Sequence, residues 1–249
     1  MTAPGRAVSL GALGAVALAA WAYTAQMGAT MPAADAAAGM RMSEAAVPGL
    51  GMLAGMWIVM MVAMMAPAMV PSYLVYARMD RGAGVSGALH GTAYLGGYLA
   101  CWISFGVCAA ALQHWLGASA LISGSMALTS PLLAGGVLFM AGAYQWSPLK
   151  TRCAARCRSP LGFFLNEWRP GTGGAWILGW RYGLTCVGCC WLLMGLMFVV
   201  GAMNLAWALA LSAYVLLERL LPFGRTLDRI VGVALAAWGA WLVFGVPPG

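Results

Sequence analysis

Residues 50–77 read LGMLAGMWIVMMVAMMAPAMVPSYLVYA, a run without one charged side chain. About 20 apolar residues suffice to carry a helix across the hydrocarbon core of a bilayer, so this run is long enough to span it. The rest of the chain has the same character. Of its 249 residues 63% are hydrophobic and 8% are charged, and the mean hydropathy is +0.85. Such a composition defines an integral membrane protein. The alternation that a transmembrane barrel requires is absent, so the fold class is all-α.

Working outward, apolar runs with charges only at their ends predict seven spans. These are Ala7 to Ala25, Leu50 to Ala77, Ala88 to Leu112, Ser130 to Trp146, Gly183 to Met203, Leu205 to Leu217 and Ile230 to Val246. The expectation is a polytopic transmembrane helix bundle of about seven helices, forming one domain over residues 1–249. Cations set its orientation, because short cytoplasmic loops collect Lys and Arg. Arg6 places the N-terminus in the cytoplasm, and seven spans then place the C-terminus outside. The segment from Ser147 to Tyr182 falls inside, with Lys150, Arg152, Arg156, Arg158, Arg169 and Arg181 against Glu167. It supplies most of the formal +7 charge, which anionic lipid explains without any nucleic acid. The localisation expected is a bacterial inner membrane, crossed several times.

Sulfur carries the chemistry. The run CVGCCWLLMGLM, residues 186–197, puts Cys186 and Cys190 one turn apart on a helix, with Cys189 beside them. Cys153 and Cys157 repeat the one-turn spacing in TRCAARCRSP. Clustered soft thiolates in an apolar wall suit Cu(I) or Zn(II) rather than Mg or Ca. Both groups are expected at the cytoplasmic end, where thiols stay reduced, so metal binding outranks a structural disulfide. Cys101 and Cys108 read as buried small apolar residues. In the second span Met52, Met56, Met60 and Met64 form one stripe, and Met61, Met65 and Met69 form another. Thioethers are soft ligands that can pass Cu(I) along, whereas a purely packing role would use Met as a flexible filler. Pro67 and Pro71 each remove a backbone donor from this helix. Met27, Met31, Met40 and Met42 fall in the first outer loop, where they are expected to collect metal.

Several activities are disfavoured. No predicted span holds a carboxylate or lysine near its middle, which argues against a proton-coupled pump. His90 and His114 lie 24 residues apart, near opposite ends of one helix, and do not bracket a haem. Zinc-protease and P-loop motifs are absent.

The segments MWIVMMVAMMAPAMVP, CRSPLGFFLNEWRPGTGGA, YGLTCVGCCWLLMGLMFVVGAMNLAW and LLERLLPFGR resemble a family of bacterial integral membrane proteins thought to bind metal, of unknown function. The resemblance runs from Leu50 to the C-terminus and rests most on the GCCW and MNLAW blocks. It implies a helical membrane fold and points to Met60, Met61, Met64, Met65, Pro67, Cys153, Cys157, Cys186, Cys189, Cys190, Trp191, Asn204 and Glu218. Relatives often carry His at the positions of Arg156 and Tyr182 and Tyr at that of Thr185. Either this chain uses a purely sulfur-based cluster, or it keeps the scaffold without the metal.

The metal ligands expected are Cys186, Cys189, Cys190, Cys153, Cys157, Met60, Met61, Met64 and Met65, with copper as the metal and zinc as its alternative. The function expected is binding, delivery or transport of soft metal. Its alternatives are an accessory subunit of an oxidoreductase or light-harvesting complex and a copper-dependent membrane oxidoreductase. No catalytic acid, base or nucleophile is identified. The partners expected are membrane lipid and, beyond it, other membrane subunits or a metal chaperone.

Overall fold

A computed structural model describes residues 11–26, 49–80, 82, 84–119, 121–122, 127–202, 204–221 and 223–245. Those residues form helices and no strand: α1 (residues 11–26), α2 (Leu50–Met79), α3 (Gly84–Ala118), α4 (Pro131–Tyr144), α5 (Pro148–Arg158), α6 (Pro160–Glu167), α7 (Gly171–Gly195), α8 (Met197–Val200), α9 (Leu205–Leu220) and α10 (Gly224–Phe244). Ser130 and Ser147 cap α4 and α5 by accepting from Leu133 N and Lys150 N, each with a proline in the first helical turn. Asn204 caps α9 in the same way, accepting from Trp207 N, after Gly201 has turned the chain at a φ of +93°. That cap gives Asn204 of the MNLAW block a structural task.

Among the described residues four helices are long and apolar enough to cross a membrane: α2, α3, α10 and the rod Gly171–Val200 made by α7 and α8. The seven expected spans therefore reduce to four of full length. The fourth is realised as the 14 residues of α4 and the sixth as the 16 of α9. At 1.5 Å per residue these are shorter than a hydrocarbon core of about 30 Å. The fifth span starts at Gly171, not Gly183, because Arg181 does not end the helix; its guanidinium pairs with Glu167. The seventh likewise begins at Gly224, since Asp228 is buried and neutralised within it.

Glycine lets the long helices meet. A Cβ at Gly179 would lie 2.0 Å from the Tyr94 carbonyl oxygen, so only glycine permits this α3–α7 approach. Gly97 abuts the Trp176 backbone, and Gly135 and Gly239 bring α4 against α10. Gly136, by contrast, has open space where its Cβ would be. Trp57 and Trp102 are wholly buried, and Cys108, expected to be buried, is exposed.

Candidate metal centre

Cys186, Cys189 and Cys190 converge as their spacing requires. Their Sγ atoms all lie within 4.8 Å of one another, and all three residues are buried. Cys189 and Cys190 donate to the Cys186 carbonyl oxygen at 3.0 and 3.1 Å, bonds that place both thiols on one side of α7. The Tyr98 hydroxyl of α3 lies 3.1 Å from Cys186 Sγ.

The centre also holds a cation. Arg219 of α9 donates Nη2 to Cys186 Sγ and Nη1 to the Ala68 carbonyl of α2 at 2.8 Å. Its Nε has no partner among the described residues. Two turns earlier on α9, Ser212 donates to the Met64 carbonyl at 3.0 Å. Met64 and Ala68 each lie three residues before a proline, Pro67 and Pro71. A proline leaves the carbonyl four residues earlier without its helical donor, Ala63 for Pro67 and Pro67 for Pro71, so the Met64 and Ala68 oxygens that α9 reaches each directly follow such a carbonyl.

Met60, Met61, Met64 and Met65 are all buried in α2. Arg219 links their helix to the thiols, because the Ala68 carbonyl it holds stands one turn beyond Met64. The outer-loop residues Met27, Met31, Met40 and Met42 lie outside the described residues.

Cys153 and Cys157 sit on α5, which packs against α7, but neither joins the group of three whose sulfurs lie within 4.8 Å of one another. Cys153 Sγ packs against Gly188, where a Cβ would lie 2.9 Å from it. Burial pushes the Cys153 thiol above its ordinary pKa, and the neighbouring Cys189 adds to the shift; Arg156 pulls the other way. Cys157 is buried, and its carbonyl accepts from the Tyr182 hydroxyl at 3.1 Å. The aromatic rings of Tyr76, Tyr94, Phe163, Phe164 and Tyr182 stack edge and face around this end of the bundle.

One residue before Arg219, Glu218 enters a second buried cluster. Lys150 Nζ lies 3.2 Å from Glu218 Oε2 and 3.3 Å from Asp228 Oδ1, and Arg158 Nη2 lies 2.9 Å from Asp228 Oδ2. Two cations and two carboxylates thus cancel, and the Tyr214 hydroxyl donates to Asp228 at 2.8 Å. Lys150 and Arg158, expected at the lipid surface, instead clamp α5 to α9 and α10. Arg219, rather than one of the cations of α5, is the charge that touches the Cys186 sulfur. No signal near Arg219 in the sequence announces that contact.

Residues 54–242 match a protein-family model described as PpoB2, copper chaperone. No curated protein and no solved structure matches the chain.

Proposed function

This chain belongs to the PpoB2 copper chaperone family, and from that membership and its three converging thiols we propose that it carries Cu(I) as cargo. The observation that carries the reading is the buried Cys186, Cys189 and Cys190 group, whose soft donors fit Cu(I) and whose buried walls exclude competing water. Each thiol that ligates gives up a proton. Two thiolates with Cu(I) bear one negative charge, and Arg219 supplies one positive charge against Cys186. In this reading Cys153 and Cys157 receive or pass the ion on the α5 side, and Met60, Met61, Met64 and Met65 offer a weaker thioether path along α2.

The chain sits in a bacterial inner membrane as a single helical domain, with its N-terminus inside. The polar belt of Lys150, Arg158, Glu218 and Asp228 marks the cytoplasmic face at the level of the thiols. In this reading α4 and α9 are short crossings that end at this belt, whereas α2, α3 and α7 continue past it. The delivery partner is a membrane subunit or a soluble metal carrier.

Metal analysis of gently solubilised, chelator-free protein tests the reading. Near-stoichiometric copper in the native chain, lost in a Cys186→Ser, Cys189→Ser, Cys190→Ser variant, supports it. Unchanged metal in that variant, or metal-free protein held in a defined membrane complex, rejects it.

A further inference from the structure

The α4–α5 turn, α5 and the first turns of α10 enclose a cavity of about 120 Å³, lined by Gln145, Thr151, Arg158, Arg225, Asp228 and Arg229 among others. It lies beside the charge cluster described above and takes no part in the sulfur chemistry. Its only carboxylate is already engaged: Asp228 accepts from Tyr214 through Oδ1 and from Arg158 through Oδ2. With Lys150, Arg158, Glu218 and Asp228 balanced, Arg225 and Arg229 leave the cavity with two further cations. Both are exposed, one turn apart on α10, and have no ion-pair partner among the described residues. The Arg229 guanidinium lies 5.7 Å from the Trp146 ring centre, which steers it along the cavity rim.

Gln145 supplies an independent observation. Its side chain is buried, at 4% exposure, and its Oε1 accepts from Lys150 Nζ. An ammonium has no acceptor, so that bond fixes the carboxamide with oxygen toward Lys150 and nitrogen away from it. Nε2 then has no acceptor among the described residues. A buried N–H donor left unpaired costs about 1–3 kcal/mol, so the wall of this cationic cavity lacks an acceptor. The first turn of α10 adds the positive end of a 21-residue helix.

We propose that this cavity binds a phosphate group, accepting from Gln145 Nε2 and paired with Arg225 and Arg229. Phosphate offers several acceptor oxygens and a charge that matches the two surplus guanidinium groups. The phosphate belongs either to the headgroup of an anionic phospholipid or to free phosphate in solution. This assignment is independent of the copper reading.

The full chain in detergent is tested in two arms. In the first, phosphatidylglycerol retained by the protein is measured by native mass spectrometry, with phosphatidylcholine as the neutral comparison. In the second, the shift in melting temperature with inorganic phosphate is compared with that in chloride at equal ionic strength. An Arg225→Gln, Arg229→Gln variant is set against Arg152→Gln, Arg156→Gln, which removes the same charge from exposed positions on α5. Gln145→Glu keeps an oxygen toward Lys150 and removes the donor. The expected result is a loss of at least about tenfold in the Arg225, Arg229 pair and in Gln145→Glu, with the α5 pair close to native. Loss confined to the lipid arm identifies a headgroup, and loss confined to the phosphate arm identifies free phosphate. Equal behaviour of the two arginine pairs in both arms overturns the site.

Discussion

Arg219 and Cys186 are joined across two helices: the guanidinium of α9 donates to the thiol sulfur of α7 while holding the Ala68 carbonyl of α2. One side chain therefore ties the Met-bearing helix to the thiol-bearing helix. It also puts a fixed positive charge against a group that becomes negative when it ligates metal. Hydrogen bonds to charged groups contribute about 1.5–3 kcal/mol, equivalent to roughly 10- to 100-fold in affinity. Competition with a Cu(I)-specific chelator should show Arg219→Met weakening copper by that factor. Arg219→Lys keeps the charge but loses the fork and should fall between. Native affinity in both variants would remove Arg219 from the site.

Replacing Met60, Met61, Met64 and Met65 together by Leu separates ligand from filler. Met and Leu exchange in cores at less than about 1.5 kcal/mol each, so the protein should still fold. Final copper content should hold, because the thiols remain, while stopped-flow loading with Cu(I) should slow. An unchanged loading rate would leave the stripe as packing.

Lys150 is wholly buried and faces two carboxylates, so Lys150→Met strands negative charge. Removing one partner of a buried pair typically destabilises by about 3–5 kcal/mol. Thermal unfolding in detergent should show a marked drop in melting temperature, and adding Glu218→Gln should restore part of it. Equal stability of Lys150→Met and the native chain would mean that the cluster does not clamp α5.

The raised pKa of Cys153 has a definite sign. Burial, then Cys189, disfavours its thiolate, so near neutral pH the side chain is a protonated thiol. Its alkylation rate should keep climbing above pH ~8.5, where an ordinary thiol is already half ionised. Arg156→Gln removes the opposing cation and should move the profile further toward high pH. A plateau below pH ~8.5 would contradict the burial described for α5.

Local spacing made the sulfur centre readable in advance. Cys186, Cys189 and Cys190 lie within five consecutive positions, so helical geometry alone brings their side chains together. The long apolar run of α2 was equally plain, and the structure ends that helix two residues beyond the expected span. Long-range pairing was hidden. Arg181 looked like a boundary because its partner, Glu167, lies outside the helix that it continues. Arg158 looked like a surface cation because Asp228 stands 70 residues away. Arg219 looked like a loop charge because nothing near it in sequence announces a thiol. Each misreading has the same physical cause: a charge in a membrane protein is placed by its partner, and the partner is distant in sequence.

The most direct measurement is X-ray absorption at the copper edge on the full chain loaded with Cu(I) under reducing conditions. The expected spectrum is that of Cu(I) with a first shell of two or three sulfurs, changed by the Cys186→Ser, Cys189→Ser, Cys190→Ser variant. A shell dominated by nitrogen or oxygen, or a spectrum unaltered by that variant, would contradict copper binding at the three thiols.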